Sequence, residues 1–360
     1  MLKQLFSGSA KRAGEVASLY KISTLKAHNW SWRIGLAAVT VIVLNIIFMF
    51  FWSSEPEAVR PQTAMQQYLD EEQIYTKDKQ VKTGVALTAT TVHMIDNLLD
   101  KRGGYLSNDV LSPGVLMDNM PSWEYGVLRN LRDTATVFRN NFSTAGASQT
   151  KLDKDLSSVE NLLRIDSTKW MMPQAEESYR DAGLALKRYL DRIVDDGNKE
   201  SQFYARADNL RRFLRVVSPN LGSYSQRLAE SVGTKSENLA LAGDANAQQS
   251  THAPKQVFEK TPWHEVDNNF YEARGYAWAL LQEMRAIKVD FKAVLADKNA
   301  TAYVDQLIRE LEATQSTVWS PVILNGGGFG VVANHSQVMA SYLSRANAIL
   351  IELSSLLEKG

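Results

Sequence analysis

TPWHEVDNNFYEARGYAWALLQEMRAIKVDFKAV, residues Thr261 to Val294, carries the most regular apolar pattern in the chain. Val266, Phe270, Ala273, Ala277, Leu280, Met284, Ile287, Phe291 and Val294 recur at three- or four-residue steps, the period of an α-helix rather than the two-residue alternation of a strand. Thr261 is an N-cap residue type, and Pro262 suits the first helical position because its missing N–H is not needed there. The stretch reads as one helix of about eight turns, and it sets the class for everything around it.

Downstream, Val304, Leu307, Ile308 and Leu311 mark a helix over about 300–314, and Val338, Tyr342, Ala346, Ile349 and Leu353 mark the last, over about 336–357. Upstream, residues 233–260 hold few large apolar side chains and read as a flexible linker. Before them lies a first part of the body, 103–232, which is expected to pack with the second, 261–360. Its helices run through Leu128, Leu131, Ala135, Phe138 and Phe142, through Leu152, Leu156, Val159 and Leu163, and through Tyr179, Ala182, Leu186, Leu190 and Ile193. A fourth in this part uses Phe203, Leu210, Phe213 and Val217, with a break expected at Pro219 before Leu221, Tyr224 and Leu228. One long helix over about 62–101 ends at Gly103-Gly104, and its polar earlier half reads as a stalk, so that 53–102 forms stalk and first helix. Strand-like alternation is confined to YLSNDVL and SPVIL. The fold class is all-α.

Ahead of the stalk, IGLAAVTVIVLNIIFMFFW, Ile34 to Trp52, has no charged residue. At ~1.5 Å per residue it extends about 28 Å, enough to cross a bilayer as a transmembrane helix. Lys3, Lys11, Arg12, Lys21, Lys26 and Arg33 precede it against Glu15 alone, although the whole chain is neutral. By the positive-inside rule, residues 1–33 form a basic cytoplasmic tail, and the bulk of the chain is periplasmic, on a bacterial inner membrane. Trp30, Trp32 and Trp52 bracket the run where amphipathic rings favour the interface. No small-residue cleavage pattern follows it, so an uncleaved anchor is expected. The composition, 44% hydrophobic and 22% charged over 360 residues, is that of folded protein, and no basic domain invites nucleic acid. Zero cysteines exclude disulfides and thiol catalysis.

GGYLSNDVLSPGVLMDNMPSWEYGVLRNLRD, FYARADNL, FYEARGYAWALL, RELEATQ and WSPVILNGGGFGVVANHS, together with the early span, resemble a proteobacterial inner-membrane family catalogued as domain of unknown function 2333. The resemblance covers nearly the whole length. It implies an envelope protein and brings no catalytic residues.

WSPVILNGGGFGVVANHS holds most of the candidate binding residues: Trp319, Asn325, Gly326, Gly327, Gly328, Phe329, Gly330, Asn334 and His335, to which Gly103, Gly104 and Asp109 of the other glycine-rich loop are added. GFGVVA matches the dinucleotide fingerprint in form, but a single helix follows it and no second strand can complete a βαβ unit. His264-Glu265 would open a zinc-protease motif, yet Asn268 stands where its second histidine belongs, and none of the five histidines pairs at metal spacing. Asp109, Asp118 and Glu124, or Glu265, Asp267 and Glu272, could supply an acid/base pair, as a glycosidase requires. Arg206 and Arg274, in YARAD and YEARG, need carboxylate partners wherever they face inward. No catalytic residue, metal site or cofactor is assigned. The expected partners are the lipid bilayer, through Ile34 to Trp52, and an envelope protein or cell-wall component. A structural or interaction role leads, with a periplasmic cell-wall hydrolase or glycan-binding protein as the alternative.

Overall fold

The computed structural model describes residues 12, 14–71, 82–144, 152–195, 201–237, 256–320, 322–327 and 331–358. Two compact units divide at Trp52/Ser53. In the first, a short helix α1 (Ile22–Ala27) precedes α2 (Trp30–Trp52), 23 residues with no buried side chain. By length and composition, α2 is able to cross a membrane. Within its uncharged run, Thr40 and Asn45 bond to their own helix, Thr40 Oγ1 to Leu36 O at 2.7 Å and Asn45 Nδ2 to Val41 O at 2.8 Å. Each bond lowers the cost of placing a polar side chain in hydrocarbon.

The second unit is a helical bundle of α3 (Pro61–Glu71), α4 (Val85–Asp100), α5 (Asn119–Val137), α6 (Lys154–Leu163), α7 (Ala175–Val194), α8 (Ala207–Ala229), α9 (Val266–Asp290), α10 (Lys292–Asp297), α11 (Thr301–Thr314) and α12 (His335–Glu358). The helix read first in the sequence, α9, is its axis. From Ala273 to Met284 every side chain on it is buried, because α5, α11, α4, α8 and α12 surround it. At its closest crossing, with α5, Gly275 lies against the carbonyl of Trp123 and Gly126 against the carbonyl of Glu272, each too near to admit a methyl group. Next to this contact Trp123 and Trp278 meet edge to face at 5.0 Å. At the other end, Phe142, Phe203 and Phe291 close the core, with centroids 5.0–5.9 Å apart.

Six sequence expectations are corrected. The helix read from Thr261 to Val294 runs from Val266 to Asp290, after a 3-10 turn at Trp263–Glu265 where Thr261 and Pro262 were expected to start it, and Val294 falls on α10. In α12 the buried stripe runs through Met339, Leu343, Ala346, Leu350 and Leu353, whereas Val338 is exposed and Tyr342 and Ile349 are half-buried. The single helix over 62–101 is two helices among the described residues, because Gly84 takes φ 94° and a side chain there would overlap Phe203. The stalk is not free-standing: α3 buries Ala64, Met65 and Tyr68 and packs on α4 and α9. Proline does not break α8, which runs through Pro219. Neither YLSNDVL nor the described residues of SPVIL form a strand. The described strands are β1 (Thr234–Glu237) and β2 (Gln256–Glu259), an antiparallel pair at the two ends of the expected linker, whose middle lies outside the described residues.

Candidate functional site

The glycine stretch closes on itself. Asn325 and Asn334 form an antiparallel bridge, with Gly326 N donating to Ala333 O and His335 N to Leu324 O, both at 3.0 Å. Asn334 then caps α12: its Oδ1 accepts from Gln337 N at 2.8 Å while its Nδ2 donates to Gly326 O at 2.6 Å. Asn325 Nδ2 reaches Ser231 O at 2.6 Å, pinning the base to the end of α8. A Cβ on Gly326 would overlap the carbonyl of Val332, so what approaches this glycine is the loop's own returning backbone. Gly327 has open space around it. Gly328, Phe329 and Gly330 lie outside the described residues.

Trp319 and His335 meet at a cleft of about 300 Å³, where α9 and α12 begin and α11 ends. Phe270 and Met339 line it with apolar surface; Thr314, Thr317 and Tyr342 add hydroxyls. His335 Nδ1 accepts from Leu324 N at 3.1 Å, which leaves the ring proton on Nε2 as a donor. Arg274 also lines the cleft, but all three of its guanidinium nitrogens are bonded within the protein. Nε binds the Glu55 carboxylate at 2.8 Å, and Nη1 binds Thr314 O at 2.7 Å and Ser316 O at 2.9 Å. Nη2 adds Gln315 O at 3.2 Å. This arginine complements the carbonyl end of α11 and holds the loop after it.

Glu55 belongs to the segment that opens the body, and two further bonds hold that segment on α9. Trp278 Nε1 donates to Pro56 O at 3.0 Å, and Val59 N donates to Gln282 Oε1 at 3.1 Å. Glu55→Gln leaves the half-buried side of this clamp without its charge. Stability is expected to fall by about 1–2 kcal/mol, less than for a fully buried pair because Glu55 keeps some water contact. A urea titration checks this, and cleavage at residues 53–60 should accelerate under limited proteolysis. An unchanged midpoint and an unchanged cleavage rate would contradict the clamp.

The other expected site residues lie elsewhere. Gly103 and Gly104 take φ 88° and 75° to turn the chain after α4. Buried Glu124 holds the turn, pairing with Lys101 and accepting from Leu106 N and Ser107 N, each at 2.8 Å. Asp109 packs against Gly114, and burial raises its pKa. None of Gly103, Gly104 or Asp109 lines the cleft. The two carboxylate sets also separate. Glu272 accepts from Tyr224 Oη at 2.9 Å and from Arg227 Nη2 at 2.6 Å, bracing α9 on α8. No carboxylate stands among the described residues lining the cleft. Phe270, Thr314 and Tyr342 escape a motif search because each reads as an ordinary helix position. Arg274 carries the one usable signal, a cation on the inward face of the central helix.

The sequence pattern of a family described as an uncharacterized protein conserved in bacteria (DUF2333) matches residues 25–360. No curated protein and no solved structure matches the chain.

Proposed function

The chain belongs to this bacterial family, DUF2333, and from that premise we propose that it is a single-span inner-membrane protein acting as a structural or interaction component of the cell envelope. Residues 1–33 are then cytoplasmic and the helical body is periplasmic. The charge bias ahead of α2 supports that orientation. The observation that carries the role is the clamp on Glu55, Pro56 and Val59. It fastens the opening segment of the body to its central helix, so a partner bound to the body acts on a rigid root. The described buried acids also make structural bonds: Glu124 with its loop, Glu160 with Arg139 and Arg164, Glu283 through Oε1 with Thr134, and Asp290 with the start of α4.

Photo-crosslinking amino acids at Val338 and Tyr342, in living cells, test the role. The expected result is a discrete adduct with an envelope protein; no adduct from either position would overturn it. One observation favours a second reading, glycan binding: Trp319 is 92% exposed at the rim of the cleft, as a ring that stacks on sugar would be. Hydrolysis fits less well, since acid/base cleavage needs a carboxylate pair across the bound sugar. Under the leading reading the protein does not sediment with purified peptidoglycan. Co-sedimentation abolished by Trp319→Ala would favour the second.

A further inference from the structure

Where α9 and α12 begin, two groups of large apolar side chains stand in solvent. Leu111 and Leu116 belong to the loop after Gly103-Gly104, and Leu111 is 77% exposed. Asn108 Nδ2 ties that loop to Lys169 O at 3.2 Å, next to exposed Met171 and to Met172 at 89%. The second group, Trp319, Val322 and Val331, stands exposed on the bridged loop before α12. Single exposed apolar side chains are ordinary on a folded surface, whereas clusters of them mark a binding face.

Charge distribution identifies what the second group meets. No Asp, Glu, Lys or Arg stands between Glu312 and Arg345, in a chain that is 22% charged. A loop in water gains from charged residues, but a loop entering lipid pays for each one. The chain's own path supplies the second argument. The opening residues of the body are bound at this end, Arg102 Nη1 donating to Ser54 Oγ at 3.3 Å and Arg274 holding Glu55. The chain reaches them directly from Trp52, the last residue of α2.

We infer that these two loop groups seat on the bilayer surface, with their apolar side chains in the boundary between headgroups and acyl chains and Trp319 as an interfacial ring. The inference rests on the reading of α2 as a membrane span. It gives the body a contact with the bilayer besides its covalent link to α2.

Because the chain has no cysteine, single-cysteine variants of the full protein can each carry one environment-sensitive fluorophore. Leu111→Cys, Met172→Cys, Trp319→Cys and Val331→Cys report on the loops, Phe50→Cys on α2, and Ala293→Cys on exposed α10 at the other end of α9. The protein is reconstituted in phosphatidylethanolamine/phosphatidylglycerol vesicles containing a lipid with a nitroxide quencher high on its acyl chain. The four loop reporters are expected to be quenched about twofold or more relative to position 293, as for side chains a few ångströms into the interface. Quenching at position 50 with positions 319 and 331 no more quenched than 293 overturns the inference and leaves the span standing. No quenching at position 50 overturns both.

Discussion

Gly126→Ala combined with Gly275→Ala is expected to cost about 5 kcal/mol or more, the range in which a single domain loses its native state. Each substitution alone costs about 2–3 kcal/mol, because the added methyl meets a backbone carbonyl that no rotamer change can move. Helix propensity acts in the opposite direction, since alanine in place of a mid-helix glycine gains about 1 kcal/mol. The sign of the result therefore reports which effect wins. Gly183 on α7 provides the control: its nearest neighbour is Ile95 Cγ2 at 3.4 Å, so Gly183→Ala fits and should be neutral or slightly stabilising. Thermal unfolding of the four variants checks this. Gly275→Ala as stable as Gly183→Ala would mean that α5 and α9 do not cross at these glycines.

Stability is expected to fall from about pH 5 to about pH 9, and Glu283→Gln to remove the larger part of that fall. Glu283 is fully buried on α9; burial pushes its pKa up to about 8, against the opposing hydrogen bond from Thr134. Asp290 is pushed up to about 6, again by burial, although Gly84 N and Leu87 N donate to it at 2.8 and 2.7 Å. Both groups hold a proton in the folded state at a pH where the unfolded chain has released it. Their contribution is fully present below the ordinary carboxylate range and is lost as pH rises, through about 6 for Asp290 and about 8 for Glu283. The loss is on the order of 4 kcal/mol for Glu283 and roughly 2–3 for Asp290. Glutamine keeps an acceptor for Thr134 and cannot ionise. Urea midpoints should separate the variant from the parent by several kcal/mol at pH 9 and hardly at all at pH 5. Parallel profiles would show that Glu283 is not the titrating group.

The helices were legible because burial in a bundle writes a period into the sequence. Val266, Phe270, Ala273, Ala277, Leu280, Met284, Ile287 and Phe291 are buried as the spacing required, and Val294, beyond the end of α9, is half-buried. What surrounds α9 was less legible. The apolar stripe shows which face is inward, but the close crossing depends on Gly126 and Gly275, and a lone glycine in a helix pattern looks like a weak position rather than a contact. The capping of α4 by Asp290 joins residues some 200 apart in sequence, beyond any local pattern. β1 and β2 were missed because TKSE and QVFE are four residues each and TKSE holds no apolar residue that could mark an alternation. Of the candidate residues, Trp319 and His335, which flank a conspicuous glycine run, both line the cleft. Gly103, Gly104 and Asp109 were grouped with them by composition, whereas their geometry serves the turn after α4.

The central claim is an anchored protein with its body across the membrane from a basic tail. Ser23→Cys in α1 and Ala293→Cys on α10, both exposed positions in a chain without cysteine, test it with a membrane-impermeant maleimide on cells whose outer membrane alone has been permeabilised. The account predicts labelling at position 293 in such cells and at position 23 only after the inner membrane is broken. Labelling at 23 with protection at 293 would contradict it.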